Sequence, residues 1–508
     1  MKNKSIFIIT LMLIIISPLF SNEIEKMEIL SIMEFPEPDL KIGKAINNPF
    51  FVPDFHKKQA SVSDLKKRIL SLEKDLKFKS NPDKFYEIAN CYKDLFDNET
   101  AIKYYKKYLE NINSDTEEIS KTSVKGEIYY ALSEIDIKTD KVYNLEKSVL
   151  YFTKSIELNP DDSSLLLKLG DCYLSLGKTP EALYYYKKAS DKSSSDYSYY
   201  FRLQEATFQS EYSEISNIKI DDNPGNLQIT EEIDFKYLQN AINIAPADLK
   251  ESLKLQYHIY LLRLLLVKNE LYIKKIKSSQ FDFYSIYTDK EKKILIDADK
   301  FVKKIDSKNI NPYLIRYFSG IINYLNSDFK NAFSDFYSIL KEKKEAELVH
   351  DEILFISLYF LKDDNITKKL VYEFIETSPE PVDYLIIANL EFKNKNFSKA
   401  LMFCTQSLKL DKNYFKAYSA MSVSFAYEGN YIAADEMIKK RNLISKKDNL
   451  KNNLLFNQMI INETAIALLK GEKERAYILF QMILSVDSNK KAFLVYDRYF
   501  NKNEKLQN

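Results

Sequence analysis

Glycine and proline are scarce, with 8 and 13 in 508 residues, so long stretches run without a helix breaker and the composition is that of an all-helix chain. Cysteine is scarcer still. Only Cys91, Cys172 and Cys404 occur, too few for a disulfide framework, and they read as small buried hydrophobes. His56, His258 and His350 are scattered with no partner at metal-ligand spacing, and the His-Asp-Glu segment at His350 reads as a solvated helix face. There is no phosphate-binding glycine loop and no G-x-S-x-G elbow. These absences argue against an enzyme and against a bound cofactor or metal.

Neither sign of charge dominates. The 74 basic and 73 acidic residues leave a net charge of +1, and only seven of the basic residues are Arg, so no nucleic-acid partner is expected. Long apolar runs are few as well. Ile6 to Ile16 follows Lys2 and Lys4 and precedes Ser17, Pro18 and a small residue at Ser21, which is the layout of a secretory signal. Residues 1–21 are therefore expected to export the protein, to a periplasm. Left uncleaved, residues 5–20 would instead anchor it to the inner membrane. The run Ile259 to Val267 is too short, and too interrupted by Arg263, to span a bilayer.

What the chain does have is periodicity. Between Ser163 and Asp196, the residues Leu166, Leu169, Gly170 and Tyr173 share one face of a helix ending near Gly177. Thr179 then reads as the cap of a second helix, with Pro180 at its first position and Ala182, Tyr186 and Ala189 facing inward. Gly170 and Ala182 are small where the helices cross, and Tyr173 and Tyr186 fill the space above and below. This skeleton resembles the tetratricopeptide repeat, a helical hairpin of 34 residues. Ala89, Tyr92 and Ala101 repeat it from Pro82. Units beginning at Tyr129, Ser163 and Tyr197 keep a 34-residue phase, and so do units beginning at Tyr313, Glu347, Pro381 and Phe415. Gly320 with Ala332, Ala388 with Ala400, Ser422 with Ala434, and Thr464 with Ala476 supply further small crossing pairs. The Tyr129 unit is degenerate, with Asp136 and Ser148 at those places.

The resemblance implies an all-α fold, an α-solenoid wound as a right-handed superhelix, whose first helices line a groove for a partner polypeptide. The chain divides into the signal or anchor at 1–21, a proline-containing linker or arm at 22–61, an N-terminal repeat block at 62–212, divergent helical repeats at 213–312 with an insert at 213–233, a C-terminal repeat block at 313–490, and a capping helix with polar tail at 491–508. Residues beside the packing stripe are the candidate groove lining: Leu314, Tyr317, Ile321, Tyr324, Phe355, Leu385, Asn389 and Phe392. The same residues also admit a reading as core between neighbouring helices. Some members of the family grip a terminal carboxylate with Lys and Asn on successive first helices. Here only Asn90, Lys168 and Arg202 suit that task, so no such clamp is expected. The expected function is a non-enzymatic protein-interaction scaffold of the bacterial cell envelope. The alternative is a membrane-tethered accessory factor of a secretion, outer-membrane or wall-assembly complex, touching membrane only through its N-terminal segment.

Overall fold

A computed structural model describes residues 26–43, 62–78, 81–95, 97–112, 119–135, 141–216, 234–275, 282–305, 312–342, 349–445, 453–484, 492 and 494–496. The signal at 1–21, most of the insert and most of the polar tail lie outside the described residues. The fold is an all-α solenoid of helical hairpins, with no strand among the described residues. The chain forms two compact units, one of Ile42–Val349 and one that joins Met1–Lys41 to His350–Asn508. The two units divide the chain at 41/42 and at 349/350.

In the Ile42–Val349 unit, helix α1 (Val62–Phe78) covers α2 (Pro82–Asp94) through Leu65 and Ile69 against Cys91. The helices α2 and α3 (Asn98–Asn111), α4 (Ile119–Ile135) and α5 (Lys141–Leu158), and α6 (Ser163–Ser175) and α7 (Thr179–Lys192) form successive hairpins. Stacked tyrosine pairs recur in all three, Tyr92 on Tyr104, Tyr129 on Tyr151 and Tyr173 on Tyr185. Close crossing explains the glycines: a Cβ on Gly170 would lie 2.4 Å from the Tyr186 ring. Helix α7 begins at its expected cap, one residue before Pro180, for Lys178 is the cap residue and Thr179 is already helical.

The degenerate unit is also corrected. Its crossing residue is Gly126, facing Phe152, and not Asp136, which lies outside the described residues. The second helix keeps the phase, with Ser148 placed as Ala182 is, but a longer connection moves the first helix ten residues back. Ser148 Oγ donates to the Gly126 carbonyl at 2.8 Å, so a serine is accommodated at the crossing.

Beyond α8 (Tyr197–Ser216) and α9 (Lys236–Ile244), the long α10 (Ala247–Lys275) is buried along most of its length. Its two buried cations are paired. Arg263 donates to Glu205 at 3.0 Å, and Lys268 donates to both oxygens of Glu291, a residue that also closes the capping box of α11 (Asp289–Lys304). No helix among the described residues is long and apolar enough to cross a membrane. The unit ends with the hairpin of α12 (Pro312–Leu325) and α13 (Phe329–Lys341).

The other unit holds α14 (His350–Phe355), which runs into a π-helical turn (Ile356–Leu361), then α15 (Asp364–Thr377), α16 (Pro381–Lys393), α17 (Phe397–Leu410), α18 (Phe415–Tyr427), α19 (Tyr431–Ser445), α20 (Asn453–Leu469) and α21 (Lys473–Leu484). A residue with positive φ marks the turn inside a hairpin in both units: Gly177, Ser327, Lys362, Lys395, Gly429 and Gly471. Ser327, Lys395 and Gly429 keep the 34-residue phase, but Lys362 falls one residue late. The π turn just before it carries one residue more than an α turn, and that residue accounts for the delay.

Candidate peptide-binding site

Residues 26–41 are no free linker. They pack within the unit that holds His350–Asn508, with Ile29, Leu30, Ile32 and Met33 buried among Val423, Ile460, Ile461 and Ile466. After a short helical turn at 26–30 and a turn at 31–32, residues 33–41 take no regular secondary structure, and from Pro36 to Lys41 burial alternates residue by residue. Glu34, Glu37, Asp39 and Lys41 are exposed, while Pro36, Pro38 and Leu40 are buried and Phe35 is half-buried. Over 36–41 this is the period of a strand with one face covered.

An extended segment leaves its backbone polar groups unpaired, and burial without partners would be costly. Side chains of the first helices meet that need here. Asn462 on α20 accepts from the Glu34 N–H at 3.0 Å and donates to the Glu34 carbonyl at 2.8 Å. Tyr427 at the end of α18 donates to the Leu30 carbonyl at 2.8 Å. Lys416 at the start of α18 donates to the Glu37 carbonyl at 2.8 Å and also binds the Asp39 carboxylate. Gln458 on α20 donates to Glu34 Oε2 at 3.2 Å. Phe35 meets the Phe392 ring with centroids 5.0 Å apart and packs against the cluster of Leu385, Ala388, Ala417 and Ala420. At the far end the Lys41 N–H points to Asp351 on α14, 3.4 Å away. The segment thus runs from α20 back toward α14, against the order of the hairpins.

Burial and this nearby negative charge act on the phenols beside the segment. Burial first, then Glu37 and Asp39, pushes the Tyr359 hydroxyl well above its usual range, and burial with Asp39 does the same to Tyr414. Both stay neutral.

The eight expected groove residues separate. Leu314, Tyr317, Ile321 and Tyr324 are core, with Tyr317 against Phe336 and Tyr324 against Phe283 and Phe329, so they line no open groove. Leu385 is also fully buried, but in the cluster on which Phe35 lies, and Phe392 touches that ring directly. Phe355 is half-buried against Tyr359 and Phe360, and Asn389 is half-buried. Lys416, Gln458, Asn462 and Tyr427 also contact the segment, and periodicity alone does not single them out. A signal was present: Lys416 and Gln458 each stand second in the units phased from Phe415 and Asn457, as polar residues amid apolar helices. The three side chains considered for a carboxylate clamp are engaged elsewhere, Asn90 by Tyr105, Lys168 by Glu127 and Arg202 by Asp171.

His350 is not on a solvated face. It is buried, with Nδ1 2.9 Å from Asp351 and Nε2 2.8 Å from Asp383. Burial alone would lower its pKa, but the carboxylates of Asp351 and Asp383 outweigh burial and raise it to about 9. Ligand atoms of His350, Asp351 and Glu380 lie within 4.8 Å of one another. With its pKa raised, the imidazole keeps a proton between the Asp351 and Asp383 carboxylates. Asp383 additionally accepts from the Glu380 N–H at 2.8 Å, which closes the start of α16.

Known proteins share parts of this chain. Family models for the tetratricopeptide repeat match residues 85–115 and 151–184. The first match coincides with α2 and α3. The second takes in the end of α5, all of α6 and the start of α7. A CTR9 homolog of Arabidopsis thaliana is 31% identical over 106 residues, which cover 21% of this chain and 9% of that relative's length. Yeast Tom70 is similar over 84% of this chain and 96% of its own, at 16% identity and a TM-score of 0.33. Human IFIT1 is similar over 74% and 76%, at 14% identity and a TM-score of 0.38. The chain thus carries tetratricopeptide repeats at 85–115 and 151–184 within an all-α solenoid.

Proposed function

We propose that this protein is a non-enzymatic interaction scaffold of the bacterial cell envelope, and that it binds partner polypeptides along first-helix faces. One observation carries the binding part: side chains of successive first helices hold an extended segment by its backbone carbonyl and N–H groups, as at Asn462, Tyr427 and Lys416. Backbone capture of this kind serves a peptide of many sequences, while a few inward side chains select among them. The envelope part rests on the basic residues and apolar run at the N-terminus. That run also supports a second reading, in which it stays in the membrane and tethers the scaffold to an assembly or secretion machine.

The test is cell fractionation joined to photo-crosslinking. A crosslinker at Gln458 should capture a discrete partner from the native envelope, whereas one at the exposed Ile432 should not. A mature N-terminus near Asn22 supports the released scaffold, and an intact Met1 in the membrane fraction supports the tether. Recovery of the whole chain from the cytosol, or capture from Ile432 alone, would sink the proposal.

A further inference from the structure

We propose that residues 29–41 are an exchangeable internal ligand of this first-helix face, and that the polypeptide it binds in trans is an extended segment of the same pattern. That pattern is a half-buried aromatic followed by inward Pro36, Pro38 and Leu40, with the carboxylates of Glu37 and Asp39 turned outward between them. The inference rests on the scaffold reading above and names its partner chemistry and its regulation.

Three observations carry it. First, the segment is held as a ligand is held. Its carbonyls at Leu30 and Glu37 and both backbone groups of Glu34 bond to side chains of helices more than 370 residues away in sequence. Few of its own backbone groups pair with each other past residue 33. Second, the recognition is selective at defined points. Phe35 sits on Phe392 and the Leu385 cluster, and Lys416 bridges a carbonyl and a carboxylate two residues apart. The exposed carboxylates of Glu34 and Asp39 meet Gln458, Lys416 and Tyr414 at the rim. Third, Pro36 and Pro38 donate no N–H, so a segment with this sequence needs fewer partners and starts closer to its extended bound form. A tethered occupant competes at the high local concentration of an intramolecular ligand. A partner in trans therefore faces an apparent weakening of about a hundred-fold or more until the arm is displaced.

The test uses the full-length chain with a protease site placed between residues 44 and 61, so the arm keeps its own sequence and its contacts. A fluorescent peptide of residues 27–42, MEILSIMEFPEPDLKI, is added to cut and uncut protein. The cut protein should exchange its arm for the peptide and stay helical by circular dichroism, and the uncut protein should bind about a hundred-fold more weakly. Asn462→Ala with Lys416→Ala in the cut protein should weaken uptake, and a peptide with Phe35→Asp should not compete. A cut arm that leaves only when the helices unfold would make the segment fixed core and overturn the inference. Equal uptake of a scrambled peptide would overturn it too. Either failure leaves the envelope scaffold standing on its crosslinking result, so the two readings fall separately.

Discussion

The Asn462 carboxamide spends both of its hydrogen bonds on the backbone of one residue, Glu34, 428 positions away in the chain. It takes the Glu34 N–H and returns its own N–H to the Glu34 carbonyl, closing a ring that no shorter or acceptor-only side chain can close.

Asn462→Ala should therefore loosen the arm by about 1–2 kcal/mol, because two part-buried backbone groups lose their partners together. Asn462→Asp should do so as well, since a carboxylate keeps the acceptor but loses the donor and faces a carbonyl. Amide hydrogen exchange is the measurement: residues 29–40 should exchange faster while α16 and α18 keep their protection. Unchanged exchange across 29–40 would show that apolar packing alone holds the arm.

The buried imidazolium of His350 gives the same unit a pH dependence with a definite sign. Its folded pKa of about 9 lies above the ordinary 6.5, so the stabilisation is complete below pH 6.5 and is lost as pH rises through about 9. The full shift corresponds to about 3 kcal/mol. The urea midpoint should fall between about pH 6 and about pH 9.5, and His350→Gln should flatten that fall. A wild-type curve parallel to that of the variant would show that Asp351 and Asp383 hold a neutral ring.

Gly170→Ala should destabilise the N-terminal hairpins by about 1–3 kcal/mol, because the new Cβ would meet the Tyr186 ring at 2.4 Å. That ring cannot move freely, since its hydroxyl donates to Asp171 at 2.7 Å. Thermal unfolding compared with wild type checks this, and an unaltered Tm would mean that α6 and α7 separate without penalty.

Lys395 and Ser327 occupy the same left-handed turn, at φ 61° and 62°, but substitution by glycine should act differently on them. Lys395→Gly relieves a strained exposed position and should stabilise its unit by up to about 1 kcal/mol. Ser327→Gly relieves the same strain but removes the oxygen that accepts from the Phe283 N–H at 2.8 Å, so its gain should be cancelled or reversed. Denaturant midpoints of the two variants decide the matter.

The sequence by itself determined the hairpins and much of their phase. Small residues at 170, 182, 320, 332, 388 and 400 and their aromatic neighbours are local demands of two helices crossing closely, and local demands leave a periodic trace. That trace fails where length is absorbed locally, as at the displaced Gly126 or the π turn before Lys362, because insertions of ten residues and of one change phase without changing residue type. Only tertiary structure decided which apolar first-helix residues are core, since Tyr317 and Phe392 sit on helices of the same kind and differ in what lies across from them. It alone placed His350 between Asp351 and Asp383, contacts that depend on the meeting of α14 and α16. It alone seated the arm as well. A proline-containing stretch has no periodicity to declare its fate, and its hydrogen-bond partners at Lys416, Tyr427 and Asn462 become neighbours only after the hairpins have stacked.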